Sequence, residues 1–182
     1  MKIIDFLRKN IRCRFGSKSL PYQILSRLLN IFCCLCTEGL MGTINLVRLQ
    51  RTTNSKQEKL LLKSLTYPIH VRPGTDDIPA IITNIIRREW TARLPNDFSP
   101  KTIVDAGAFI GDTSLLFLNK YPGSFITALE PNKNNYELAK INLAPFHKRV
   151  DCQNAAIWHK DTKLMISGDS VHARTTSRTE SA

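Results

Sequence analysis

The sequence predicts an α/β fold built on a parallel sheet. From residue 102 onward apolar strand-like runs alternate with helical ones: TIVDAG, then TSLLFLNKY, FITALEP, NNYELAKINL and VDCQNAAIW. Alternation of this kind gives parallel strands joined by right-handed crossovers. An acid closes each of the first two runs, Asp105 and Glu130, and glycines follow the first. Upstream, Ile78, Ile81, Ile82, Ile85 and Ile86 recur at the spacing of one helical face, which predicts a helix over 78–90 packed against the domain.

The chain has 182 residues, enough for one domain with its own core. Three parts are expected: a basic helical leader over 1–56, an α/β domain over 57–171, and a tail over 172–182. The tail has no aliphatic residue larger than alanine and is expected to be disordered. Residues 163–169 are expected to add one short strand. RTTNSKQEK, 51–59, reads as a linker between leader and domain.

The net charge is +11, and residues 1–56 hold ten of the 26 basic residues against two acids, Asp5 and Glu38. A leader of this kind suits an anionic surface or a solvated face. Residues 2–15 place Ile3, Ile4, Leu7, Ile11 and Phe15 at helical spacing among cations, as in a short amphipathic helix that rests on a membrane or docks on the domain. Residues 28–47 are long and apolar enough to span a bilayer. Asn30, Thr37, Glu38, Asn45 and two glycines interrupt them and argue against it. No aromatics interleave with basic residues in the manner of RNA-binding modules, so nucleic acid is not an expected partner.

Five cysteines, with Cys33, Cys34 and Cys36 clustered, cannot supply four zinc ligands, and no His cluster stands by to complete them. No metal site is expected. Reduced, buried thiols imply a cytoplasmic protein. The four histidines are scattered along the chain, and none is marked as a catalytic base.

IVDAGAFIGDTSLLF, residues 103–117, carries the chemistry. In an open α/β sheet ligands sit beyond the carboxyl ends of the strands, where helix N-termini offer unpaired N–H groups. Gly107 can bend sharply out of the strand, and Gly111 is expected to let backbone and ligand approach closely. Asp112 and Thr113 are expected to cap the following helix. Asp105 can hold a cationic or hydroxylated group, and Glu130, ending the next strand, can accept from a ribose diol. Phe109 and Asp112 stand where a dinucleotide fingerprint needs glycine, and no Gly-Lys-Ser/Thr triplet occurs. A nucleoside ligand without phosphates is the expectation.

VDAGAFIGDTSLLF, ITALEPNKNNYELAKINL and the upstream VRPGTDDIPAI together resemble the FkbM-type methyltransferases. These are class I enzymes that use S-adenosylmethionine to methylate hydroxyl groups of sugars or secondary metabolites. The resemblance covers roughly 67–166 and implies a Rossmann-like parallel sheet. It implies that Asp105, Gly107 and Gly111 hold the methionine end of the cofactor, with Ala108 and Asp112 in the same turn. Glu130 would hold the ribose, and Asn132, Asn154 and Ala155 would surround the adenine. A small-molecule or saccharide acceptor follows; the resemblance assigns no catalytic residue.

Each residue also has a plainer reading: Asp105 and Asp112 as helix caps, Glu130 as an exposed strand-end acid, Asn154 as a turn residue. The family's later strands and its D-I-E-G block are not found in this sequence, so the sheet is expected to be incomplete on its C-terminal side. The chain is accordingly read as an enzyme, active or truncated. The alternatives are a non-catalytic remnant and a basic peripheral membrane or nucleic-acid-binding protein.

Overall fold

The computed structural model describes residues 10, 12–13, 19–52, 56–90, 94–95, 97–157 and 159, with the backbone of 164–167 and 174–177. The amphipathic helix expected over 2–15 falls almost wholly outside the described residues.

Helix α1 spans Leu20–Arg51. Ser19 opens it, its hydroxyl accepting from the Tyr22 N–H, and Pro21 sits in the first turn where a missing N–H costs nothing. The helix is broken at Gly39, whose φ of 75° and ψ of −174° are not helical. Glu38, just before the break, is buried, and its carboxylate accepts from the Lys63 N–H at 2.6 Å and the Ser64 hydroxyl at 3.4 Å. The apolar run over 28–47 is therefore two arms meeting at a corner, held there by a buried acid, and not one straight span.

The leader is not a separate unit. Leu46 and Leu49 of α1 lie in the same core as Ile78, Ile85 and Leu115. Arg48 reaches across to Glu58, inside the expected linker, at 2.7 Å. That linker contributes strand β1, Glu58–Leu60, which pairs antiparallel with β2, Ile69–Val71. A three-residue strand has too short a pattern to read from sequence.

Helix α2, Asp77–Ile81, continues as a π-helical turn over Ile82–Ile86, where the Arg87 N–H reaches back to the Ile82 carbonyl. All five isoleucines of the predicted face are buried. Burying each such side chain contributes about 1.5–3 kcal/mol, which holds this segment on the domain.

The central sheet has the order β3-β4-β5, all parallel: Thr102–Ala106, Phe125–Leu129 and Val150–Gln153. Helices α3, Asp112–Lys120, and α4, Lys133–Leu143, are the crossovers. This is a Rossmann-like half-sheet, and its elements match the sequence prediction closely. Ile126 and Ala128 are fully buried, while Val104 and Phe125, pointing to the other face, are 57% and 43% exposed. Among the described residues the sheet is covered on one face, and β3 is an edge strand.

Past residue 160 one expectation needs correcting. Leu164–Ser167, β6, forms as predicted, but it pairs antiparallel with β7, Arg174–Ser177, inside the tail expected to lack structure. Thr175 and Thr176 are β-branched and favour an extended backbone, a preference that outweighs the missing large aliphatics.

Candidate functional site

The carboxyl ends of β3 and β4 lie side by side, with Asp105 opposite Ala128 and Ala106 opposite Leu129. The chain leaves β3 through Gly107 at a φ of 86°, and the N–H groups of Gly107 and Ala108 both donate to the Leu129 carbonyl. Phe109 follows in a left-handed conformation, φ 51°, uncommon for a bulky residue. Its N–H donates to Glu130 Oε2 at 2.8 Å, and Arg72 lies over its ring. Glu130 Oε1 accepts from the Asn132 N–H at 2.8 Å. Glu130 is thus buried and fastens the glycine turn to the turn after β4. Its exposed-acid reading is excluded. The Asn135 side chain bonds the same carboxylate, which leaves one lone pair for a ligand hydroxyl.

The two glycines do different work. A Cβ on Gly107 would meet no atom within 4 Å, so its α-carbon faces open space. A Cβ on Gly111, φ 81°, would come within 3.1 Å of Leu143 Cγ. Gly111 is therefore a packing glycine that lets α3 and α4 approach, a role added to the ligand contact expected of it. It is also the residue that precedes α3 and has no side chain to cap it; Asp112 is inside the helix, so the expected cap at Asp112 or Thr113 is not formed, and the Ser114 N–H of the first turn donates to the Asp105 carboxylate instead.

Asp112 is fully buried instead. Its Oδ2 accepts from Asn84 Nδ2 at 2.7 Å, and burial pushes its carboxyl up to about 6. The Asn84 bond opposes that shift and the charge of Asp105 adds to it. Asp105 is itself raised by burial, with the Ser114 hydroxyl donating to it at 2.6 Å and pulling the other way. Glu130 is also raised by burial, against the two backbone N–H groups it accepts from.

Asp105, Gly107, Asp112 and Glu130 line one cavity of about 660 Å³, within the ordinary range for small-molecule sites. Trp90, Phe98 and Phe117 supply aromatic walls. Ala108 and Gly111 lie beneath the turn rather than on the cavity surface. Asn132 caps α4, its Oδ1 accepting from the Asn134 and Asn135 N–H groups. Asn154 Nδ2 donates to the Glu130 and Pro131 carbonyls, and Ala155 follows it in the same turn, so these residues buttress the strand end.

The residues missed from the sequence come from the π-helical turn and its surroundings. Asn84 is aimed at Asp112 by that turn, and Trp90 Nε1 donates to Asn84 Oδ1 at 3.0 Å. Arg72 is bidentate to the buried Asp77 and also donates to Asn135, which lines the cavity. The VRPGTDD block held both ends of that ion pair, a signal for it. Nothing in the isoleucine periodicity marks a π turn.

The fold and site define a Rossmann-like α/β unit with a small-molecule cleft at its strand ends. No family model matches the chain. It is similar to the tRNA1(Val) (adenine(37)-N6)-methyltransferases of two Vibrio cholerae serotype O1 strains, M66-2 and ATCC 39315 / El Tor Inaba N16961. Each is 32% identical over 107 residues, which is 57% of this chain and 43% of the relative. The chain therefore spans less than half the length of these relatives. The likeness supports a methyltransferase in general and lends nothing to the FkbM type in particular.

Proposed function

We propose that this chain carries the S-adenosylmethionine-binding part of a methyltransferase. The observation that carries this reading is the pair of acids, half-buried Asp105 and buried Glu130, at adjacent strand ends around an open-faced Gly107. The residues fit the cofactor. The open space at Gly107 admits a ligand against the backbone, Asp105 and Asp112 suit an amino-acid end bearing an ammonium, and the remaining lone pair of Glu130 suits a ribose hydroxyl. The cofactor supplies an electrophilic methyl group on a sulfonium. What this chain contributes is orientation: rigid carboxylates fixed by Ser114, Asn84 and backbone N–H groups, which need little reorganisation on binding.

Asp105, Asp112 and Glu130 would hold the cofactor as it supplies its methyl group to the acceptor, which would release one proton for the methyl it takes. For the acceptor we favour an amine of an RNA base, supported by the relatives being tRNA adenine-N6-methyltransferases, so the sequence-based expectation against nucleic acid is set aside here. The aromatic walls suit a planar ring. A sugar or metabolite hydroxyl is the second reading, favoured by the order of the three blocks that resemble FkbM-type enzymes.

Calorimetric titration with S-adenosylmethionine tests the first claim; absence of binding by a folded chain would end it. Transfer of radiolabelled methyl to unmodified tRNA, beside a mixture of sugar and polyketide acceptors, decides between the two acceptors.

A further inference from the structure

Helix α1 carries a feature that the cofactor cleft does not use. Before the break at Gly39, Leu20, Ile24, Leu28, Ile31, Phe32 and Leu35 are all exposed, from 40% to 68%. At 3.6 residues per turn they fall within an arc of about 120°, a continuous apolar stripe turned to solvent. Beyond the break Leu40, Met41 and Ile44 are exposed as well. Soluble surfaces rarely keep so many large aliphatic side chains together.

The sequence leading into this stripe is strongly cationic. Residues 1–18 hold six cations against Asp5, and Arg27 is exposed on α1 itself. Glu38, the sole acid of α1, is turned inward by the Gly39 corner onto the Lys63 N–H and the Ser64 hydroxyl. Between the two arms lies a cavity of about 320 Å³ that brings Arg27 and Arg51 together over Ile31, Leu46 and Val47, with no acid in its lining.

We propose that α1 docks this protein on an anionic phospholipid surface, lying in the interface with its stripe among the acyl chains. The cavity between the arms receives a phosphate headgroup. A surface that is apolar along one stripe and cationic beside it matches the two layers of such a membrane. A second copy fits poorly, because pairing two stripes would bring two basic leaders together. A nucleic acid would satisfy the cations and leave the aliphatic side chains wet. The corner at Gly39 and the burial of Leu46 and Leu49 keep α1 on the membrane surface rather than across it. None of this rests on the methyltransferase reading.

The test is co-sedimentation of the full chain with extruded vesicles of phosphatidylcholine alone or with 30% phosphatidylserine. The wild type should bind the anionic vesicles at least about tenfold more tightly. Leu28→Glu with Phe32→Glu should lower that binding about a hundredfold or more, with unchanged circular dichroism, since both residues are already exposed. Ile24→Glu with Leu35→Glu is a second pair, should the first disturb folding. Arg27→Glu with Arg51→Glu should remove the preference for anionic vesicles while leaving the weak binding to neutral ones.

Five results would overturn the proposal. The wild type could fail to bind either vesicle, or bind both equally. The glutamate pairs could bind as the wild type does. Light scattering could show a dimer that the glutamate pairs convert to monomer, which assigns the stripe to a second copy. Finally, tRNA binding abolished by the glutamate pairs would assign the stripe to nucleic acid.

Discussion

Glu130 holds the backbone of Phe109. Its carboxylate accepts the Phe109 N–H through one oxygen and the Asn132 N–H through the other, each at 2.8 Å. The glycine turn after β3 and the turn after β4 are thereby fixed to one another, and the left-handed Phe109 is held in a conformation it would not adopt freely. An amide in the same place accepts through one atom only and would set its NH₂ against the second N–H. Glu130→Gln should therefore cost about 1–3 kcal/mol of stability, read by urea denaturation. It should also weaken S-adenosylmethionine binding by one order of magnitude or more. Equal stability and equal affinity in wild type and variant would remove Glu130 from both roles.

Gly107 and Gly111 separate ligand space from packing space. Both have positive φ, so alanine at either position costs about 1–2 kcal/mol of backbone strain. At Gly111 the added methyl also meets Leu143, an overpacking cost of about 1–3 kcal/mol more. Gly111→Ala should thus lower the melting temperature well below that of Gly107→Ala. The ligand response should be reversed: Gly107→Ala fills open space beside the cavity and should weaken cofactor binding more than its small loss of stability explains. A larger stability loss at Gly107 than at Gly111 would contradict this division.

Much of this architecture was legible because it rests on periodicity. The three parallel strands and two crossover helices announce themselves by alternating runs, and the buried isoleucine face by its spacing. Asp105 and Glu130 were legible as strand-end acids. The clamp between Glu130 and Phe109 was not, because it joins a side chain to a backbone N–H in another loop, and an N–H leaves no trace in residue identity. The packing role of Gly111 was hidden for a related reason: its neighbour Leu143 is a tertiary contact with no sequence pattern. Strand β1 was hidden by its length, and β7 by a composition that argued for disorder.

Asn84 ties the π-helical turn to the cavity, accepting from Trp90 Nε1 and donating to Asp112. Asn84→Ala should free an exposed indole and leave Asp112 without its side-chain donor. Tryptophan fluorescence should show lower anisotropy around Trp90, measured in a Trp158→Phe background so that one indole reports. An unaltered anisotropy would mean that the Asn84 bond does not hold the ring in solution.

Asp112 gives the site a pH dependence whose sign can be worked out. Its carboxyl stands at about 6 in the folded chain against an ordinary 3.8, because burial disfavours the charge more than the Asn84 bond restores it. Between about pH 4 and pH 6 the folded state holds a proton that the unfolded state has released. Stability from this group is therefore full below about pH 4 and is lost as pH rises through 6, by on the order of 1–3 kcal/mol. Asp112→Asn carries no such penalty, so its stability relative to wild type should rise across this window and level off above pH 6. Urea denaturation of both proteins at pH 4, 5, 6 and 7.5 reads the difference; a constant offset at all four values would show that Asp112 does not titrate there. Cofactor binding should run the opposite way. An ammonium facing Asp112 is held by the carboxylate, so wild-type affinity should fall by up to about tenfold per unit as pH drops below 6, while Asp112→Asn binds weakly with no such fall. Asn84→Ala, which removes the bond that favours the charged form, should move the midpoint of the wild-type fall to higher pH. A wild-type affinity that stays level from pH 5 to pH 8 would place the ammonium away from Asp112 and leave Asp105 as its partner.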